Sequence, residues 1–125
     1  MTAYPMAQRF RGYLPVVLDL ETGGFDPRAN PILEIAAVHL QFEDGRRAVA
    51  DRWHRAVRPF PGGESSAAAL KFTGIDPHDP ARDAVEEGAA LLELFRSVRA
   101  AMRRAGCHRA ILVAHNAAFD QQFLN

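Results

Sequence analysis

The alternation of apolar and polar residues in the first half of the chain predicts three β-strands. Residues 14–21 are apolar and partly β-branched until two acids end the run, which is typical of a buried strand. Every second position in the later part of 31–42 is apolar, and 43–45 carry a turn signal. Residues 52–60 are rich in polar side chains and end near a proline, as expected for an edge strand. Strands joined by such short turns predict an antiparallel meander.

The second half predicts two helices, a fourth strand and the start of a last helix. Residues 65–72 form a short helix in this prediction, with serines at its start and Gly74 after its end. From 83 to 105, apolar residues recur every three or four positions until a glycine, which predicts a long amphipathic helix. Residues 109–115 are the fourth strand, and Asn116 can cap the last helix.

The order of these elements, βββαβα, predicts an α/β fold with one mixed sheet. A helix that crosses over between strands three and four places strand four parallel to strand one and beside it, so the strand order is 3-2-1-4. Ligands collect at the carboxyl ends of adjacent parallel strands in sheets of this kind. Asp19, Glu21 and the segment 115–120 all fall at that edge.

The composition indicates one soluble globular domain or most of one. The chain has 125 residues, of which 48% are apolar and 24% are charged, enough to bury a core without cross-links. A single cysteine, Cys107, cannot form an internal disulfide, which is typical of a reducing cytosol. The N-terminal residues lack a signal-peptide pattern, and no apolar stretch approaches the roughly 20 residues that span a bilayer. We therefore expect a cytoplasmic protein that does not associate with membranes.

Charged residues are segregated along the chain, although the formal net charge is +0. Acids concentrate at 19–21 and in 76–93, and two arginines, Arg9 and Arg11, precede the first strand. The segment 96–109 has no acid and contains Arg96, Arg99, Arg103, Arg104 and Arg109. This separation suits a protein that holds metal at one place and phosphates at another. The simpler interpretation is a solvated arginine face on a helix.

Three acids are the candidate catalytic residues. Asp19 and Glu21 are two positions apart on a strand, so their side chains share a face. Asp120 falls in the first turn of the last helix, where its carboxylate can turn back toward strand one. Carboxylates brought together repel one another unless cations neutralise them, and two divalent ions among such acids are typical of phosphodiester-cleaving sites. By itself, an Asp-X-Glu pair is a weak signal, and Asp120 alone would equally suit a helix dipole.

Two motifs resemble those of a known superfamily. Residues 19–24, Asp-Leu-Glu-Thr-Gly-Gly, and residues 115–120, His-Asn-Ala-Ala-Phe-Asp, resemble the first and second exonuclease motifs of the DEDD superfamily of 3′-to-5′ exonucleases, which has a ribonuclease-H-like fold. The flanking segments are similar to those of its ribonuclease T family, whose members trim tRNA ends; these segments are 9–17, 33–37, 72–77 and 106–110. The likeness covers nearly all of the chain.

The resemblance implies roles for the acids and for the turn that follows the first strand. Asp19 would bridge two Mg²⁺ ions, for which Mn²⁺ can substitute. Glu21 would hold the ion that activates water, and Asp120 would hold the other ion. Thr22 and the glycines after it would let the terminal ribose approach the backbone.

The resemblance also implies how substrate would bind. Three aromatics would stack on terminal bases, and five arginines would bind the body of the RNA. The aromatics are Phe25, Phe72 and Phe119, and the arginines are Arg9, Arg11, Arg103, Arg104 and Arg109. In that family the basic patch of one subunit serves the active site of the other, which implies a homodimer acting on tRNA and other single-stranded RNA 3′ ends. Without the resemblance, Phe72 would suit an ordinary core.

The chain departs from the family pattern at two points. Ala68 stands where the family carries a glutamate, which bears on its preference among terminal bases. The third motif, a histidine followed five residues later by an aspartate, is expected beyond Asn125. We therefore expect residues 1–125 to be an incomplete exonuclease domain, truncated before a fifth strand, inactive alone and poorly stable. Two alternatives stay open: a proofreading-type exonuclease acting on DNA 3′ ends, and a non-catalytic module that binds nucleic acid.

Overall fold

A computed structural model describes residues 13–43, 46–114 and 117–124 of the chain. Its four strands are β1 (Tyr13–Thr22), β2 (Ile32–Glu43), β3 (Arg46–Ala56) and β4 (Arg109–Val113). They form one sheet in the order β3-β2-β1-β4. β2 is antiparallel to both β1 and β3, whereas β4 is parallel to β1. The predicted mixed sheet and its strand order are confirmed.

Three α-helices follow the meander or flank β4. They are α1 (Ala67–Thr73), α2 (Glu87–Ala105) and α3 (Ala117–Leu124), and a 3₁₀ turn (Pro80–Arg82) lies between α1 and α2. The side chain of Ser66 accepts a hydrogen bond from the backbone N–H of Ala69, which caps α1, and Gly74 ends the helix at φ 73°. No helix in the described ranges is long and apolar enough to cross a bilayer.

The core lies between one face of the sheet and α2. On β1, the side chains of Leu14, Val16, Leu18 and Leu20 are buried, and from Val17 onward the intervening positions are exposed or half-buried. The buried side chains belong to one cluster with residues of α2 such as Leu94. Because side chains alternate across a strand, this packing turns Asp19 and Glu21 away from the core face.

Three elements differ from the prediction. β3 runs from Arg46 to Ala56 rather than over 52–60, because backbone pairing with β2 continues through polar residues. The long helix begins at Glu87 rather than at 83. Val85, which fits the helical period, instead makes a parallel bridge with Val57, and Asp83 has a left-handed φ of 52°. β4 is shorter than predicted and ends at Val113, whereas His115 and Asn116 lie outside the described residues.

β4 presents an apolar surface. All five of its residues are exposed, including Ile111, Leu112 and Val113, and Val17 of the neighbouring strand is also exposed. A contiguous apolar area of this kind is unusual on a protein surface.

Candidate active site

The end of β1 supplies two carboxylates on the side of the strand away from the core. Asp19 is exposed and Glu21 is half-buried. Asp19 lies opposite Ala36 on β2, and Glu21 lies opposite Glu34. Directly opposed residues of an antiparallel pair have Cβ atoms about 5 Å apart, so Glu34 adds a third negative charge next to Glu21.

A network of hydrogen bonds holds the turn after β1 and fixes α1 beside it. The hydroxyl of Thr22 donates to the carbonyl oxygen of Gly24 at 2.7 Å. The N–H of Gly23 donates to the carbonyl of Pro31, and the carbonyl of Gly23 accepts from the N–H of Ser66, each at 2.8 Å. A Cβ on Gly23 would collide with the side chain of Ser65, the residue before the cap of α1, so glycine is required at this contact.

The third acid, Asp120, reaches the same end of the sheet from α3. Its side chain is 7% exposed. Burial and then the charge of Asp19 raise the pKa of Asp120. Burial, followed by the charges of Asp19, Glu34 and Asp120, raises the pKa of Glu21. Asp120 on α3 thus interacts electrostatically with Asp19 and Glu21 of β1.

The donor set suits a hard divalent cation. Within residues 13–43, 46–114 and 117–124, no three acidic, histidine or cysteine side chains are already close enough to hold an ion. The charge of Asp19 contributes to the raised pKa of both Glu21 and Asp120, after burial, which is the larger cause. Carboxylate oxygens are the ligands that Mg²⁺ and Mn²⁺ prefer, and a cation would remove their mutual repulsion. The residues therefore fit the divalent metal that the resemblance implies.

A pocket of about 460 Å³ adjoins the carboxylates. Its described lining consists of Leu20, Glu21, Thr22, Gly24, Phe25, Ser66, Ala68, Ala69, Phe72, Thr73 and Phe119. We call this the aromatic pocket. Glu21 belongs both to its wall and to the carboxylate group, so whatever occupies the pocket lies next to the acids. Its volume lies within the range of roughly 300–1,000 Å³ typical of small-molecule sites.

The three phenylalanines of the aromatic pocket differ in their surroundings. Phe25 is 87% exposed and Phe72 is 89% exposed, so neither has the core role that would otherwise suit Phe72. Phe119 is half-buried: its ring centroid lies 5.0 Å from that of Phe123, which is buried in the core. The ring of Phe25 meets Phe119 edge to face at 6.0 Å. The rings of Phe25 and Phe72 are thus open to solvent, whereas the ring of Phe119 is held against the core.

The candidate arginines lie far from the carboxylates. Arg103 and Arg104 are exposed in the last turn of α2, and Arg109 is exposed at the start of β4, where it pairs with Tyr13. Tyr13 begins β1, whereas Asp19 and Glu21 lie near its end, roughly 20–26 Å away at about 3.3 Å per residue. Within one chain, these arginines therefore do not lie close to the acids. Arg9 and Arg11 lie outside the described residues.

Some residues that neighbour the site were not predicted from the sequence. Glu34 is one, and the strand register that places it beside Glu21 was the signal that could have found it. His54, on β3, lies 3.7 Å from the carboxylate of Glu34. Ser66 and Thr73 line the aromatic pocket through α1, but no pattern in the sequence shows which way this short helix faces.

Solved structures show the same fold. The structure resembles E. coli exonuclease I in complex with a dT13 oligonucleotide, with a TM-score of 0.69 and 18% identity over 90% of this chain and 22% of that one. It also resembles exonuclease I from Methylocaldum szegediense, with a TM-score of 0.69 and 18% identity over 89% of this chain and 22% of that one. The fold class is thus the ribonuclease-H-like α/β fold of exonucleases, and the predicted class is confirmed.

The chain belongs to the exonuclease family whose model, RNase_T, matches residues 16–125. It is 50% identical to ribonuclease T of Hahella chejuensis over 96% of this chain and 56% of that protein. It is 48% identical to ribonuclease T of Marinobacter nauticus over 97% of this chain and 55% of that protein. The chain thus spans about half the length of the curated relatives it matches. The predicted resemblance to ribonuclease T is confirmed.

Proposed function

We propose that the protein is a metal-dependent 3′-to-5′ exoribonuclease that trims single-stranded 3′ ends of tRNA and other stable RNAs. The observation that carries this proposal is the position of Glu21, which interacts electrostatically with Asp19 and Asp120 and also lines the aromatic pocket. A terminal base in the pocket would place the adjacent phosphodiester beside the acids. Family membership and the ribonuclease T relatives support the assignment.

The three acids would hold two divalent ions, for which we propose Mg²⁺ with Mn²⁺ as a substitute. Bound there, the ions would lower the pKa of a water molecule and stabilise charge on the phosphate and the leaving oxygen. Asp19, Glu21 and Asp120 would position the ions, since their oxygens are the hard donors at this end of the sheet. Phe25 and Phe72 would hold the terminal base by stacking on its faces, and the turn at Thr22 would border the ribose.

The arginines would bind the body of the RNA from a second subunit. Because Arg103, Arg104 and Arg109 lie at the other end of the sheet, a homodimer in which each basic patch faces the partner's acids accounts for both features. The patch supports an anionic substrate longer than one or two nucleotides. We also propose a cytoplasmic location.

Hydrolysis of defined substrates tests the proposal. The full-length protein should shorten a 5′-labelled single-stranded RNA from its 3′ end in Mg²⁺ or Mn²⁺ and not in EDTA. Glu21→Gln should reduce the rate at least about 100-fold, in line with loss of a metal ligand, whereas Glu64→Gln, an exposed acid outside the site, should leave it unchanged. Binding without hydrolysis, unaffected by chelation and by Asp19→Asn, would instead support a non-catalytic module.

Two parallel assays define the scope of the activity. A DNA strand of the same sequence should be shortened more slowly than the RNA, and faster removal of DNA would favour the proofreading-type alternative. The chain ending at Asn125 should be inactive on both, because the resemblance implies that a general-base histidine and a further aspartate are needed. Steady loss of 3′ nucleotides with this chain would contradict that expectation.

A further inference from the structure

We propose that Glu34 is a positioning residue for the divalent ions: a further carboxylate that stays outside the ligand set and raises the affinity of the three acids for cations through its charge. The inference deepens the proposed function and rests on it, because the proposed function is what assigns the metal to the three acids. It concerns which other residue of the sheet makes the site bind divalent ions.

The first support is the strand register. Glu34 of β2 lies directly opposite Glu21 of β1, so the two side chains project from the same face of the sheet. Asp19 projects from that face as well, because it lies two residues before Glu21 on the same strand. Glu34 is therefore brought next to the acids by the pairing of two strands.

The second support is the way in which the backbone around Glu34 is held. Its neighbours Leu33 and Ile35 are both fully buried. The carbonyl oxygen of Leu33 accepts two hydrogen bonds, from the N–H of Val57 at 2.8 Å and from the guanidinium of Arg82 at 2.6 Å. The same guanidinium donates to the carbonyl of Val57 at 3.2 Å. Because these contacts fix the strand at this point, the charge of Glu34 keeps a constant place relative to the acids.

The third support is the surroundings of the carboxylate itself. The side chain of Glu34 is 32% exposed, so its charge is neither deeply buried nor fully solvated. Within the part of the chain that the structure describes, its ion-pair contact is with the imidazole of His54, at 3.7 Å. His54 belongs to β3, which lies on the side of β2 away from β1. A contact on that side suits a carboxylate that acts through its charge rather than as a metal ligand.

The charge of Glu34 nevertheless reaches the acids. It is among the charges that raise the pKa of Glu21, after burial and the charge of Asp19. In the metal-free chain this interaction is a repulsion. With a divalent cation present, the same negative charge attracts the ion. An acid within a Debye length of about 8–10 Å of an ion thus strengthens its binding without touching it.

Calorimetric titration of Mn²⁺ into the metal-free, full-length protein, without RNA, tests the inference. Glu34→Gln keeps the shape of the side chain and removes its charge, so it should weaken Mn²⁺ binding roughly three- to tenfold and leave the number of ions bound per chain unchanged. Glu34→Asp keeps the charge and should bind Mn²⁺ within about twofold of the wild type. Glu64→Gln, at an exposed acid outside the site, is the control and should bind as the wild type does.

Two further measurements separate a role through charge from a structural one. The Debye length falls from about 10 Å in 0.1 M salt to about 3 Å in 1 M salt, so the ratio of the Mn²⁺ affinities of wild type and Glu34→Gln should move toward one at high salt. In hydrolysis of RNA, the rate of Glu34→Gln at saturating Mg²⁺ should stay within about twofold of the wild type, whereas the Mg²⁺ concentration for half-maximal rate should rise by the factor found for Mn²⁺.

The outcomes that would overturn the inference differ from those that bear on the proposed function. Equal Mn²⁺ affinities of Glu34→Gln and the wild type overturn the inference and leave the proposed function standing. Equally weak binding by Glu34→Asp and Glu34→Gln, unaffected by salt, would mean a structural role and has the same consequence. Loss of one bound ion per chain in Glu34→Gln would make Glu34 a ligand, which also overturns the inference. A wild type that neither binds Mn²⁺ nor shortens RNA contradicts the proposed function itself, and this inference with it.

Discussion

Glu21 is the residue at which the energetics of the fold and the chemistry of the site oppose each other. Its half-buried carboxylate faces Glu34 across the strand pair and feels the charges of Asp19 and Asp120. Each of these effects favours the protonated form, so the folded chain raises the pKa of Glu21. A residue kept at such a cost is expected to have a role beyond stability.

Glu21→Gln should therefore stabilise the metal-free chain. Removing the charge relieves repulsion worth roughly 0.5–1 kcal/mol for a partly exposed group, or an increase in Tm of about 2–5 °C at neutral pH in EDTA. The gain depends on pH, because the pKa of Glu21 is raised in the folded chain. The wild type therefore loses stability as the pH rises from the ordinary pKa through the pKa of the folded state. The difference between variant and wild type should thus shrink below the ordinary pKa of 4.5.

Thermal unfolding at several pH values, with and without Mg²⁺, measures this effect. Mg²⁺ should stabilise the wild type more than Glu21→Gln, since the variant has lost a ligand. Glu64→Gln is the control and should behave as the wild type does. A variant less stable than wild type in EDTA would mean that Glu21 stabilises the fold, and the repulsion argument would be wrong.

Gly23 is a second position where one residue determines the site. A Cβ there would lie 2.8 Å from the Cβ of Ser65 and 3.0 Å from the Cδ of Pro31. Gly23→Ala should cost roughly 1–3 kcal/mol in urea unfolding, as other overpacking substitutions do. Adding Ser65→Gly removes the closest contacts and should recover part of the loss, so a double-mutant cycle should give a favourable coupling. Purely additive effects would show that Gly23 and Ser65 do not meet as described.

At the scale of elements, α1 is positioned by its caps rather than by burial. None of its residues is buried, yet it carries Ala68 and Phe72 to the pocket. Its N-terminus depends on Ser66, and its C-terminus on the left-handed Gly74. A short helix with so little packing is marginal in isolation, so its ends have unusual importance for the site.

A matched pair of glycine substitutions tests this. Gly74→Ala should cost about 1 kcal/mol, because φ is 73° and the added methyl gains no contact. Gly88→Ala, inside α2, should instead stabilise by roughly 0.5–1 kcal/mol, since its neighbour at 3.3 Å is the flexible end of Glu86. Urea unfolding measures the change in the free energy of unfolding for both variants, which should have opposite signs. Gly74→Ala alone should also weaken binding to single-stranded RNA, and equal binding by both variants would show that the caps do not position Phe72.

The elements also show how far the sequence leads. The strand order, the caps of α1 and the end of α2 followed from local patterns, because alternation, serine caps and left-handed glycines are local signals. The start of α2 did not follow from a local pattern, since Val85 satisfies the helical period but makes a bridge with Val57. The contact between Glu21 and Glu34, and the openness of Phe72, depend on register and helix orientation, which are tertiary.

At the scale of the whole molecule, the acids and the arginines occupy opposite ends of the sheet. Arg109 pairs with Tyr13 at the start of β1, whereas Asp19 and Glu21 lie near its end. A short substrate bound at the acids should therefore not contact the arginines of the same chain. In the homodimer that we propose, a long RNA would contact the acids of one subunit and the arginines of the other, since two-fold symmetry places each surface once on either subunit.

Mixed dimers test this arrangement. Glu21→Gln leaves a dimer with intact arginines and no competent site, and the triple substitution Arg103→Ala, Arg104→Ala, Arg109→Ala leaves intact acids without the patch. Each variant alone should be nearly inactive on a long RNA, whereas an equal mixture allowed to exchange subunits should recover about a quarter of wild-type activity, because half the dimers are mixed and each has one complete site. The triple variant should keep its activity on a dinucleotide, and its binding to long RNA should depend less steeply on salt. No recovery in the mixture, with exchange verified by a tagged subunit, would show that patch and acids act within one chain or not together.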